Sequence, residues 1–364
     1  MRPPARSEAM EQWSSEAVKQ WSSEAMEQWD ECGAKLSAAI TLIACILLAP
    51  MAVVGEEPAV VSDLKITTLS TMLTEFRGVG EWGFAALVEV DGKTILFDTG
   101  WRPDTVLKNA AEFEIDLSEV DTVVLSHNHA DHTGGLVTLR RALKEKNDSA
   151  LQTAHVGQGI FSPRKADPKR MSVIPAPLRQ YWVDVLDVKD EYETLGGEIV
   201  IHDKPHEILP GVWITGPIPR VHPEKNWTPT AMIEKDGALI EDTIPEDQAL
   251  IINTGEGLVV LAGCGHAGVV NTMEYARKIS GGKPVHAVYG GLHLLSLTDQ
   301  KLAWTGSKMS EFGVQHLLGA HCTGINAVNL LRDSAGLRRD TSVVGAVGSV
   351  FTLEDGIRLG ALNR

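Results

Sequence analysis

The chain has 364 residues, 43% of them hydrophobic, with 34 Gly and 17 Pro, which excludes a disordered or collagen-like polymer and allows one large or two modest domains. Its formal net charge of −15 excludes a broad nucleic-acid surface, which needs a basic field, so an anionic small-molecule substrate would have to be held by a local patch. Four Cys are too few for a disulfide framework in a chain of this length.

Residues 8–31 hold three near-copies of an eight-residue unit that brings back Trp13, Trp21 and Trp29. Such a period drifts around an α-helix, so residues 1–35 read as a low-complexity leader, with a true start at Met26 as the alternative. Leu36 to Val54 is broken only by Ser37, Thr41 and Pro50 and is followed by Gly55-Glu56-Glu57-Pro58. Residues 36–55 therefore read as an export signal or as an uncleaved membrane anchor. Either makes the protein periplasmic or secreted, touching a membrane through this segment alone.

The folded domain is expected over 64–364. Ala85 to Val90 alternates as a strand, Asp91-Gly92 is a two-residue hairpin signal, and Thr94 to Phe97 returns to Asp98-Thr99-Gly100. Thr105 to Phe113 has helical spacing, and an apolar strand follows at Thr122 to Leu125. Residues 147–247 are rich in Pro and charge and read as a lid-like insertion. Its cations Arg164, Lys165, Lys169, Arg170 and Arg179 could meet an acidic substrate. The first pattern then returns: a hairpin over Ala249 to Ala262, Gly263-Cys264-Gly265-His266, a helix at Val269 to Lys278, and a strand at Val285 to Tyr289. Two such halves predict a pseudo-duplicated, four-layer α/β/β/α sandwich.

The chemistry concentrates in Ser126-His127-Asn128-His129-Ala130-Asp131-His132-Thr133-Gly134-Gly135, directly after the apolar strand. Imidazole and carboxylate are ligands for divalent zinc, iron and manganese, and an i, i+2 pair at a strand end puts two of them on one side. One loop could thus serve two cations.

His-x-His-x-Asp-His after a strand, preceded by Phe97-Asp98-Thr99-Gly100, resembles the metallo-β-lactamase superfamily. Further segments resemble its branch named for a dihydropterin ribofuranosyl-aminobenzene-phosphate synthase: Gly83-Phe84-Ala85-Ala86-Leu87, Thr215 to Arg220, Asp247 to Leu250, Gly263 to Gly268, Gly290 to Leu294 and His321 to Gly324. The resemblance implies the four-layer fold and one or two divalent ions, zinc first, with iron or manganese as alternatives. It implies that His127 and His129 hold one ion with a third His, and Asp131 and His132 the other. His266 is the first choice for a further ligand. His293 and His321 complete the sites or act with Asp131 as catalytic groups. Near the place where many relatives carry a bridging Asp, this chain offers Cys264-Gly265-His266 instead, so the bridge could be the Cys264 thiolate, a water or nothing.

Asp98 fits an outer role, orienting a ligand imidazole, or a turn cap. Cys264 and Cys322 are either buried thiols near the ions or, in an exported chain, a disulfide. Arg220 either holds a substrate phosphate or is an ordinary Arg, and His155 either reaches the site or lies apart. His202, His206, His222, His286 and His316 read as structural. The leading expectation is a hydrolase using a metal-activated water on an anionic, phosphorylated small molecule. The alternatives are a transferase of the synthase type and a non-catalytic metal-binding or sensor protein.

Overall fold

The computed structural model describes residues 58–165, 184–228 and 231–363. The expected leader at 1–35, the export segment at 36–55 and the cations Lys169, Arg170 and Arg179 lie outside these residues. Among the described residues, no helix is long and apolar enough to cross a membrane.

Two mixed sheets face each other. The first has eight strands: in spatial order β18 (Gly356–Arg358), β17 (Val350–Thr352), β1 (Leu64–Ser70), β2 (Ala85–Val90), β3 (Lys93–Phe97), β4 (Thr122–Leu125), β5 (Thr153–Gly157) and β7 (Glu198–His202). The second has seven: β16 (Ser342–Val344), β15 (His316–Ala320), β14 (Val285–Gly291), β13 (Gly257–Ala262), β12 (Ala249–Thr254), β9 (Val212–Ile214) and β8 (His206–Leu209). A small third sheet joins β11 (Ala238–Glu241), β10 (Met232–Lys235) and β6 (Arg164–Lys165).

Asp91 and Gly92 take φ of 44° and 76°, the left-handed pair that lets a two-residue turn follow the twist of β2 and β3. The pseudo-duplication reaches beyond this hairpin. In each sheet an antiparallel pair, β2–β3 or β12–β13, is extended by parallel strands, β4, β5 and β7 in one case and β14, β15 and β16 in the other. Parallel neighbours need a crossover. Thr105–Glu112, Leu136–Lys144 and Val185–Thr194 supply it in the first half, and Val269–Ile279, Asp299–Phe312 and Ile325–Ala335 in the second.

Strand alternation sorts the apolar side chains into three cores. Ile95 and Phe97 of β3 meet Val259 and Leu261 of β13 between the sheets. Leu96 turns the other way, onto Val106, Leu139 and Tyr192 of the first helical layer, as Val260 does onto Met273, Met309 and Leu331 of the second. These are the four expected layers. Across the middle, Tyr289 Oη lies 2.7 Å from Thr68 Oγ1, both buried, joining β14 of one sheet to β1 of the other.

Residues 147–247 are not a single insertion. β5, β7 and the helix Val185–Thr194 complete the first half, and β8 and β9 begin the second sheet; only the small sheet stands apart. Polar and histidine residues within these short strands hide the alternation that would mark them. Arg164 is likewise not free for substrate, since it pairs with Asp242 at 2.8 Å and Glu246 at 2.6 Å. The folded domain also begins before Leu64, because Val61 is buried and bridges to Thr254.

Candidate metal centre

β4 ends at Leu125, and the histidine loop follows from Ser126. His129 has extended φ and ψ (−66°, 141°) and precedes the short helix Ala130–Thr133, which carries Asp131 and His132. The helix seats so closely that a Cβ on Gly134 would lie 2.1 Å from Trp101 O, and one on Gly135 2.1 Å from Thr99 O. The glycine pair is therefore a packing requirement.

Asp98, wholly buried with φ of 57°, organises the loop from below. Its Oδ1 accepts the Ser126 N–H and its Oδ2 the Ser126 hydroxyl, each at 2.7 Å. Having spent its proton there, Ser126 Oγ accepts Nδ1–H of His127 at 2.9 Å. Asp98 Oδ2 also lies 2.7 Å from Nδ1 of His132. Both rings thus carry their proton on Nδ1 and turn a bare Nε2 inward, the arrangement metal-binding imidazoles require.

His266 arrives from the end of β13. Its Nδ1 donates to the Asn226 carbonyl at 2.5 Å, which leaves Nε2 unprotonated, buried and without a partner. Its ring centroid lies 4.7 Å from that of His127 and 5.0 Å from that of His129, and His127 Nε2 faces His129 Nδ1 at 3.0 Å. Beside these three rings stand Asp131, His132 and His321. His321 Nε2 lies 3.5 Å from Asp131 Oδ2 and 3.3 Å from His132 Nε2.

Cys264 sits between the two groups. Three sets of side chains have ligand atoms all within 4.8 Å of one another: His127, Cys264 and His266; His132, Cys264 and His321; Cys264, His293 and Cys322. The same sulfur belongs to all three.

Electrostatics suit a cation. Burial, and then the neighbouring imidazoles, push the His127 pKa well below its ordinary value and keep the ring a neutral donor. His266 shifts the same way, through burial and then His293. Burial opposes ionisation of Asp131, but the His321 hydrogen bond and His132 outweigh it and hold the carboxyl well below its usual range. His321 runs the other way: burial would lower its pKa, yet Cys322 and Asp131 raise it to about 10, so a cation bound there must displace the ring's proton. An orphaned buried imidazole nitrogen within a set of nitrogen, sulfur and carboxylate donors fits a divalent ion.

The other predicted residues separate. Arg220 braces the His266 loop: its Nη2 donates to the carbonyls of Thr243, Ile244 and His266 at 2.5, 3.0 and 3.5 Å. His155 stays apart, stacked on His202, which stacks on His206, with centroids 5.1 and 5.0 Å apart. His293 is half-buried, and its N–H lies 3.2 Å from Cys322 Sγ. Sequence reasoning did not single out Asn226, whose role is played by a main-chain oxygen that no side-chain pattern announces. Asp247, whose Oδ2 takes the Ala267 N–H at 2.7 Å, was signalled only by its place in the Asp247-Gln248 segment. Trp82, 45% exposed, meets His321 in a T-shaped ring contact with centroids 5.4 Å apart.

The layered fold and this cluster define a metal-dependent enzyme. The chain belongs to the metallo-beta-lactamase superfamily, whose family model matches residues 83–277. It is 31% identical over 283 residues to the 7,8-dihydropterin-6-methyl-4-(beta-D-ribofuranosyl)-aminobenzene-5'-phosphate synthase of Methanocaldococcus jannaschii, covering 75% of this chain and 92% of the relative. An uncharacterized protein of the same organism is 27% identical over 290 residues, covering 79% of this chain and 99% of the relative. Among solved structures, a metal-dependent hydrolase of the beta-lactamase superfamily superposes with a TM-score of 0.62 at 25% identity, covering 79% of this chain and 98% of that one.

Proposed function

We propose that the protein is a metal-dependent hydrolase of an anionic, phosphorylated small molecule. His127, His129 and His266 would hold one divalent ion and Asp131, His132 and His321 a second, with Cys264 between them. Zinc is the ion first expected, and when bound it supplies a water nucleophile at neutral pH and polarises the electrophile. Asp98 and Ser126 fix the tautomers of His127 and His132, and Asn226 fixes that of His266. His293, half-buried beside His266 with Nδ1 unpartnered, is placed to move a proton at the rim.

The observation that carries this reading is the bare, buried Nε2 of His266 aimed at the His127–His129 pair. Elemental analysis of the purified protein, followed by assays on phosphomonoester, phosphodiester, lactone and thioester panels, tests it. Protein without stoichiometric metal, or turnover indifferent to a chelator, overturns it.

A second reading is a transfer reaction of the kind named for the Methanocaldococcus relative. Trp82 favours it, because a half-exposed indole beside His321 offers a stacking surface for a fused aromatic ring. Product analysis with and without an amine or ribosyl acceptor separates the two. The reading also includes export through residues 36–55, and intact mass of the mature protein tests that part.

A further inference from the structure

We infer that Cys264 and Cys322 are an oxidative modification site, a thiol pair that closes to a disulfide and withdraws the shared sulfur from the metal centre. The second clause rests on the metal reading above; the first does not.

The two cysteines follow β13 and β15, which are separated in the sheet by β14. They meet because β14 ends in glycine: a Cβ on Gly291 would lie 3.2 Å from Cys322 Sγ and 2.0 Å from Gly263 O. With that space clear, the sulfurs lie 3.2 Å apart, both free thiols. A bond requires a further approach of about 1.2 Å. At 3% and 1% exposure, the pair is closed to a bulky disulfide such as oxidised glutathione, so the oxidant must be small enough to enter the cluster.

The balance is complete with hydrogen peroxide. Cys322 sulfur, which receives the His293 N–H at 3.2 Å, attacks one peroxide oxygen; the O–O bond breaks, a sulfenic acid forms and water leaves. Cys264 sulfur then attacks Cys322 sulfur and expels the second oxygen as water with the remaining thiol proton. Two thiols lose two electrons and one peroxide becomes two waters. Because Cys264 is common to all three candidate ligand sets while Cys322 belongs to one, closing the bond removes a donor from every set and leaves the imidazoles intact.

The test uses full-length protein, reduced and stripped of metal, then given a slight excess of hydrogen peroxide. Peptide mapping after alkylation should show a peptide cross-linked between 264 and 322 and lighter by two hydrogens, reopened by dithiothreitol. Oxidised glutathione should leave both residues open to alkylation. Zinc affinity should fall by more than about tenfold on oxidation and return on reduction, and Cys322→Ser should show no reversible fall. Both cysteines still alkylated after peroxide, or a cross-link with unchanged zinc affinity, overturns the proposal. Reduced protein that forms the cross-link but binds no zinc would sink the metal reading and leave the modification site standing.

Discussion

Oδ2 of Asp98 lies 2.7 Å from Nδ1 of His132, both groups wholly removed from water, while the same carboxylate reaches His127 through Ser126. One side chain thereby sets the proton position on two rings. Asp98→Asn keeps the shape and tolerates the left-handed backbone of φ 57°. Its amide N–H can face Nδ1, which shifts the ring proton to Nε2 and blocks ligation. Metal affinity should fall by about 10–100-fold, read by competition with a chromophoric chelator. An unchanged affinity would show that Asp98 is only a turn residue.

Cys264 carries a second expectation, since burial, and then the hydrogen bond its S–H donates to Cys322, raise its thiol pKa well above normal. A cation must therefore displace the proton, so metal uptake should release protons and weaken as pH falls. Cys264→Ala should lower metal content by about one ion per chain, whereas Cys264→Asp, which puts a carboxylate in place of the thiolate, should retain it. Elemental analysis of the three proteins side by side decides this.

The contrast between what could and could not be read beforehand follows from range. The β2–β3 turn announced itself because Asp91-Gly92 is a local requirement on φ, and the His127–His132 loop because its donors are neighbours in the chain. His321 and His266 were nameable from their glycine-marked strand ends. Their division between the two groups was not, because it depends on how β13, β14 and β15 stack in parallel. Asn226 acts through a carbonyl, and Arg220 through contacts with three others, which leave no trace in residue type. The return of β17 onto β1, pairing Ile66 with Phe351, joins opposite ends of the domain and has no local signal.

The imidazole stack away from the metal centre gives a pH prediction. Burial, and then the neighbouring His202 and His206, lower the His155 pKa to about 4, with Asp121 opposing. The unfolded chain would bind a proton there near its ordinary value of 6.5 while the folded chain would not, so stability is full above that value and declines as pH falls towards 4. His202 is lowered too and adds to the same slope. Urea midpoints at pH 7 and pH 5 should differ, and His155→Leu should flatten the difference. An equal slope in the variant would remove His155 from the account.

Trp82 bears on what the site accepts. It lies 45% exposed in a T-shaped contact with His321, so its own burial contributes little to stability and nearly half of its surface is open to solvent beside the cluster. If substrates carry a planar aromatic group, Trp82→Ala should raise KM by about 2–10-fold through loss of roughly 0.5–1.5 kcal/mol of stacking. The change in kcat should be small, because stacking on an unreacting ring favours ground and transition states alike. Trp82→Phe should recover most of the loss, and a substrate lacking the ring should not distinguish the variants. A uniform fall in kcat for every substrate would instead place the effect on His321, whose ring the indole packs against, and would remove the aromatic preference from the reading.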